Sequence, residues 1–223
     1  SRQESDWVPS GTPVTSEFTF VPDEDPDRVK TLIFASVDPR YVAEHAGYFA
    51  DIGVDGLMVC NVMSTWHGDI WNVHPRFAPD GEEGRIVGEG NPLFQMCREM
   101  NRRCAEVGID HNSLLVAVSY PVPDWFDDEE WGALCERFRQ CAIFARDAGF
   151  AGIAFDIEYV SAAYLLDYEP YLAPGYPRDR MRDQARQRGD ELVSAMLGEF
   201  PDMIFWQLPE GSHYYGPLAV DFT

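Results

Sequence analysis

Asp156 and Glu158 stand two residues apart in the stretch GFAGIAFDIEYV (149–160). Strand alternation puts both carboxylates on one face with Gly152 and Ala154, and Ile153, Phe155 and Ile157 on the other. Carboxylates so placed repel each other, which favours a proton on one of them near neutral pH while the other stays charged. That combination suits glycoside hydrolysis, where a protonated carboxyl donates to the leaving oxygen and an ionised one steadies positive charge at the sugar carbon. The competing reading is structural: a cap, or a salt bridge to an arginine such as Arg178 or Arg182.

The same stretch resembles a known family. Chitinase-type barrel glycoside hydrolases carry the fourth-strand motif DGxDxDxE, and residues 151–158 here read AGIAFDIE, keeping Gly152, Asp156 and Glu158. Ala151 and Ala154 stand where the family has its first two aspartates. A looser likeness lies in the first unit, where DP…YFADIGVDGLMV (38–59) is similar to the opening of several barrel glycosidases, the endo-mannosidase-like group among them. The resemblance implies a barrel fold, with Glu158 as general acid/base and Asp156 as the charged partner that orients a substrate group or stabilises the oxocarbenium-like centre.

The segments around the pair are rich in groups that hold sugars. The long stretch 61–91 contains Asn61, Trp66, His67, Asp69, Trp71 and His74, and the stretch after the fourth strand begins with Tyr159. Aromatic faces stack on the apolar faces of sugar rings, while amides and carboxylates bind hydroxyls; the same aromatics could instead pack the loops as a small core. Asp38 and Tyr120 follow other strands, and Trp206, Gln207 and Glu210 lie at the end of the fifth; all are expected at the same rim as substrate-binding groups. Which of Trp206 and Gln207 points inward depends on a register that alternation alone leaves open. Glu210 is a candidate nucleophile or base; otherwise that role falls to another residue or to a substrate acetamido oxygen.

Other chemistries have weaker support. His67, Asp69 and His74 lack the two-histidine helical spacing of a metal site, so no metal and no cofactor is expected. The turn Gly88-Glu89-Gly90-Asn91 lacks the third glycine and the lysine of a phosphate loop and puts Glu89 where an anion would sit. No G-x-S-x-G elbow occurs. The five cysteines form no CxxC pair; the four predicted on helices read as small buried hydrophobes, and only Cys60, at a strand end, stays open.

The elements that must position these groups alternate. Short apolar runs at 31–37, 56–60, 114–119, 152–157 and 203–208 predict five strands, separated by helical patterns after Asp38-Pro39 and over 92–107, 129–148 and 180–200. The helix at 92 has Asn91 as its N-cap and an apolar stripe of Leu93, Cys97, Met100, Cys104 and Val107; the next has Trp131, Cys135, Phe138, Ala142 and Ala145, with Cys141 beside it. Strand–helix alternation implies an α/β fold with a parallel sheet. The favoured closure is a (β/α)8 TIM-barrel type with only the first five βα units present, so that residues 31–223 form one C-terminally incomplete barrel-type domain behind a proline-rich extended segment, 1–30. The alternative is a five-stranded doubly wound open sheet.

Composition narrows the partners. Thirty-eight acidic against seventeen basic residues, of which Lys30 is the only lysine, give a net charge of −21. Such a field repels polyphosphate, so nucleic acid is not expected as a partner. No apolar run of the roughly 20 residues a membrane helix needs occurs, and no targeting segment is visible, so the compartment stays unassigned. The expected function is a glycosidase acting on a neutral or acetamido glycan. The alternatives are a non-catalytic carbohydrate-binding barrel or an open α/β domain with a metal-linked or regulatory role. The edges of an unfinished barrel would also invite self-association.

Overall fold

A computed structural model describes residues 30–35, 37–60, 62, 91–117, 123–156 and 175–208. The elements run β1 (Leu32–Ala35), α1 (Pro39–Glu44), α2 (Ala46–Asp51), β2 (Gly56–Val59), α3 (Pro92–Glu106), β3 (Ser113–Ala117), α4 (Asp128–Asp147), β4 (Gly152–Asp156), α5 (Arg178–Leu197) and β5 (Ile204–Leu208). All five strands are parallel, each hydrogen-bonded to the next in sequence, and the sheet curls into a half-barrel.

That strand order decides between the two closures considered from the sequence. A doubly wound sheet reverses its order at a switch point, which sends helices to both faces. Here the order is β1-β2-β3-β4-β5 with no reversal. Because crossovers between parallel strands are right-handed, every connecting helix falls on the same side. The doubly wound alternative is therefore not what this sheet adopts.

Burial follows from that winding. Leu57, Val59, Leu114, Val116, Ile153 and Phe155 turn to the helices, where they join Cys97, Met100, Phe138, Phe144 and Leu192 in one core. Each large apolar side chain so buried contributes roughly 1.5–3 kcal/mol. The intervening residues face the concave side and form a much smaller cluster of Cys60, Leu115 and Ala154, flanked by half-buried Met58, Trp206 and Leu208.

The N-terminal ends of the strands are fixed by buried polar groups. Asn112, 2% exposed, accepts from Leu57 N–H at 2.9 Å and donates to Asn101 Oδ1 at 3.0 Å; Asn101 in turn donates to the Ala148 carbonyl at 2.8 Å. The two amides thereby join β2, the start of β3, α3 and the end of α4. Asp55 accepts from Thr31 N–H at 2.7 Å beside them. Glycine is required where the neighbouring backbones close in: a Cβ on Gly152 would lie 1.8 Å from the Ile204 carbonyl oxygen, and one on Gly56 2.3 Å from that of His111.

The helices depart from the sequence expectation in detail. The first is two short helices broken at His45, whose φ of −114° leaves the helical region. Asn91 caps α3 as expected, accepting from Leu93 N–H at 3.0 Å and Phe94 N–H at 3.3 Å. The α3 stripe is shifted: Val107 is 41% exposed, while Phe94 and Asn101 are buried. In α4 it is Cys141 that is wholly buried and Cys135 that is half-buried, the reverse of their expected places.

If the amide pair sets the strand ends, Asn112→Ala removes the acceptor of Leu57 N–H and the donor to Asn101 Oδ1. Each orphaned group costs about 1–3 kcal/mol. Urea unfolding should report a loss of roughly 2–5 kcal/mol with an unchanged slope.

Candidate functional site

In a parallel sheet the functional side is where the strands end, because the connections that follow them gather there. Asp156 is the last residue of β4 and is 8% exposed. Alternation from Ala154 turns it to the concave face, and in register it lies opposite Leu208 of β5. Glu158, two residues further on, lies outside the described residues, as do Asn61, Trp66, His67, Tyr120, Tyr159 and Glu210.

The open register of β5 is resolved by pairing. Trp206 sits opposite Ala154 and joins the concave cluster, half-buried, one step below Asp156. Gln207 sits opposite Phe155, and alternation turns it to the side of Phe205, away from Trp206. The rim near Asp156 therefore combines a largely buried carboxylate, an indole face and the apolar Leu208.

Asp38, three residues past β1, has other partners. Its side chain caps α1, accepting from Arg40 N–H at 2.8 Å, and pairs with the Arg40 guanidinium at 2.9 Å and 3.1 Å. The side-chain hydrogen bond from Arg40, followed by the backbone one, holds the Asp38 carboxyl below its ordinary value. Its charge also reaches Cys97 of α3, the helix of the second unit.

Cys60, one residue beyond β2, neighbours Asp156 and has no role assigned to it from the sequence. It is 4% exposed, and its thiol donates to the Met58 carbonyl at 3.6 Å. Burial pushes the thiol up to about 12, and the negative charge of Asp156 pushes in the same direction. The two groups thus share the concave face, and Cys60 lines it as a neutral thiol rather than a nucleophile. A signal for this existed in the sequence, since Cys60 and Asp156 both close an apolar strand, but which strands are near one another was not readable.

No protein-family model matches this chain, and neither does any curated protein or solved structure. Among the described residues, no group of three or more His, Cys, Asp and Glu side chains could hold a metal ion. The expected histidine-rich stretch, with His67, Asp69 and His74, lies outside them. No helix among the described residues is long and apolar enough to cross a membrane.

All five thiols are raised above their ordinary value by burial, Cys60 and Cys97 to about 12. The native protein should therefore react slowly with a disulfide reagent at about pH 8, and all five thiols should react once it is unfolded. Stability follows the same shift. In the unfolded chain thiols ionise near 9.0, whereas Cys60 and Cys97 in the fold keep their protons to about 12. The contribution is whole below pH 9 and lost as pH climbs toward 12, so urea midpoints should fall across that window. The fall should be shallower when Cys60 and Cys97 are both replaced by alanine.

Proposed function

We propose that the protein is a glycosidase of the (β/α)-barrel type that acts on a neutral or acetamido glycan at the C-terminal rim of its sheet. The observation that carries this reading is Asp156, 8% exposed on the concave face at the end of β4, one step above the half-buried Trp206. A strand order without reversal and helices on one side are the arrangement a barrel requires, which supports the barrel-type reading. The charge of −21 turns away polyanions and leaves neutral sugars as the fitting ligand.

In this reading Glu158 carries the proton delivered to the leaving glycosidic oxygen. Asp156 stays ionised, raises the proton affinity of Glu158 by its charge, and steadies the positive charge that develops at the sugar carbon. The indole of Trp206 offers a flat apolar face for a sugar ring. The closing nucleophile is Glu210, another residue of the rim, or the acetamido oxygen of the substrate itself.

A second reading, a carbohydrate-binding barrel without turnover, has one observation in its favour. Among the described strand residues, Asp156 is the one carboxylate on the concave face.

Incubation with chitotetraose, mannotetraose and other neutral oligosaccharides, followed by an assay of new reducing ends, separates the two. Glu158→Gln is expected to lower turnover by about 100- to 10,000-fold while oligosaccharide affinity is kept. Asp156→Asn should lower it as well, with less proton retained on Glu158. Equal turnover in wild type and Glu158→Gln would overturn the assignment. Binding with no reducing ends from any substrate would favour the second reading.

A further inference from the structure

Arg188 is an odd residue to find in a core. It lies on α5, 2% exposed, among helix positions that could have been filled by an aliphatic side chain. A buried cation is expensive unless it is fully paired. Its partners come from three places: Nε donates to the Trp125 carbonyl at 3.0 Å, one terminal nitrogen to Asp128 of α4 at 2.5 Å, and the other to Glu191 of its own helix at 2.7 Å. The guanidinium also lies 5.6 Å from the centre of the Trp131 ring, and Trp131 packs on Trp125 at 5.1 Å. Burial opposes the charge, and the hydrogen bonds it donates to Glu191 and Asp128 outweigh that, so the group stays cationic.

Trp125 belongs to the last part of the connection from β3 to α4; it packs in the helix-side core, at the end of the sheet where the strands finish. A second contact holds that stretch from the other side. Phe126 stacks on Tyr176 at 4.7 Å with ring planes 16° apart, and Arg180 lies 4.6 Å from the Phe126 ring and 5.5 Å from that of Tyr176. Tyr176 ends the connection that leaves β4 after Asp156. The connections after β3 and β4 are thus locked together where each enters its helix.

We propose that Arg188 is a positioning residue of the candidate site: through the Trp125 carbonyl it holds the end of the β3–α4 connection in place, and the Phe126–Tyr176–Arg180 stack ties that end to the residues that lead into α5. This rests on the reading of the strand-end rim as the active face. A guanidinium fork reaches three partners on three elements at once, which neither lysine nor an aliphatic residue can do.

The test uses Arg188→Met, which fills the space, Arg188→Lys, which keeps the charge, and Tyr176→Leu, each in the full chain. Amide exchange over 126–131 is expected to rise about tenfold or more in both Arg188 variants, while the amides of Val59 and Met100 keep their rates. Tyr176→Leu should raise exchange in the same window. With whichever of chitotetraose or mannotetraose the wild type cleaves, kcat per folded molecule should fall about tenfold in Arg188→Met with KM within about twofold, and Arg188→Lys should not restore it. Unchanged exchange over 126–131, an equal rise in every protected amide, or an unchanged kcat would overturn the proposal. A wild type that cleaves neither sugar refutes the glycosidase reading alone, and the exchange result then decides whether Arg188 holds the connection.

Discussion

Two buried amides set the frame on which everything else depends. Asn112 satisfies a backbone N–H of β2 and is itself satisfied by Asn101, which reaches the carbonyl that ends α4. These groups are buried, Asn112 at 2% and Asn101 at 6% exposure, so each must have its partner or bear the cost of desolvation. Because the relay sits where the strands begin, alignment of the sheet is determined at that end. The opposite end is left to the connections, which can vary without breaking the register.

The same division explains the chemistry of the two faces. The outer face is dry and apolar, with Leu57, Leu114, Ile153 and Phe155 under the helices. The concave face is also largely apolar but less deeply buried, with Met58, Leu115, Trp206 and Leu208, and it keeps Asp156 and Cys60 near the strand ends. Burial, and after it the Asp156 carboxylate, raise the Cys60 thiol and keep it neutral, so that the pair contributes one charge and one small polarisable wall. The helices then do more than cover the sheet, since α5 reaches back through Arg188 to the connection after β3.

Much of this was legible in the chain. The five strands and the helices α3, α4 and α5 fall within a few residues of their apolar patterns, and Asn91 with Pro92 announces the start of α3. The faces of β4 were readable because Gly152, Ala154 and Asp156 alternate with larger apolar residues. What was not legible depends on neighbours. Asn101 and Arg188 look like solvent-facing helix residues, and only the strand starts and the β3–α4 connection that meet them give them partners. Strand order is invisible to periodicity, because any permutation of parallel strands preserves the same apolar runs. The side of Trp206 awaited its pairing with Ala154, and Val107 was misjudged because α3 ends before it and leaves it on the surface.

The central claim is that the working surface lies where the strands end on the concave face. A hydrogen-exchange footprint of the protein with chitotetraose and mannotetraose tests it most directly. Slowed exchange confined to the ends of β4 and β5, around Asp156 and Leu208, is the predicted result. Slowed exchange on the outer faces of α3, α4 or α5 instead, or none anywhere with either sugar at high concentration, would contradict it.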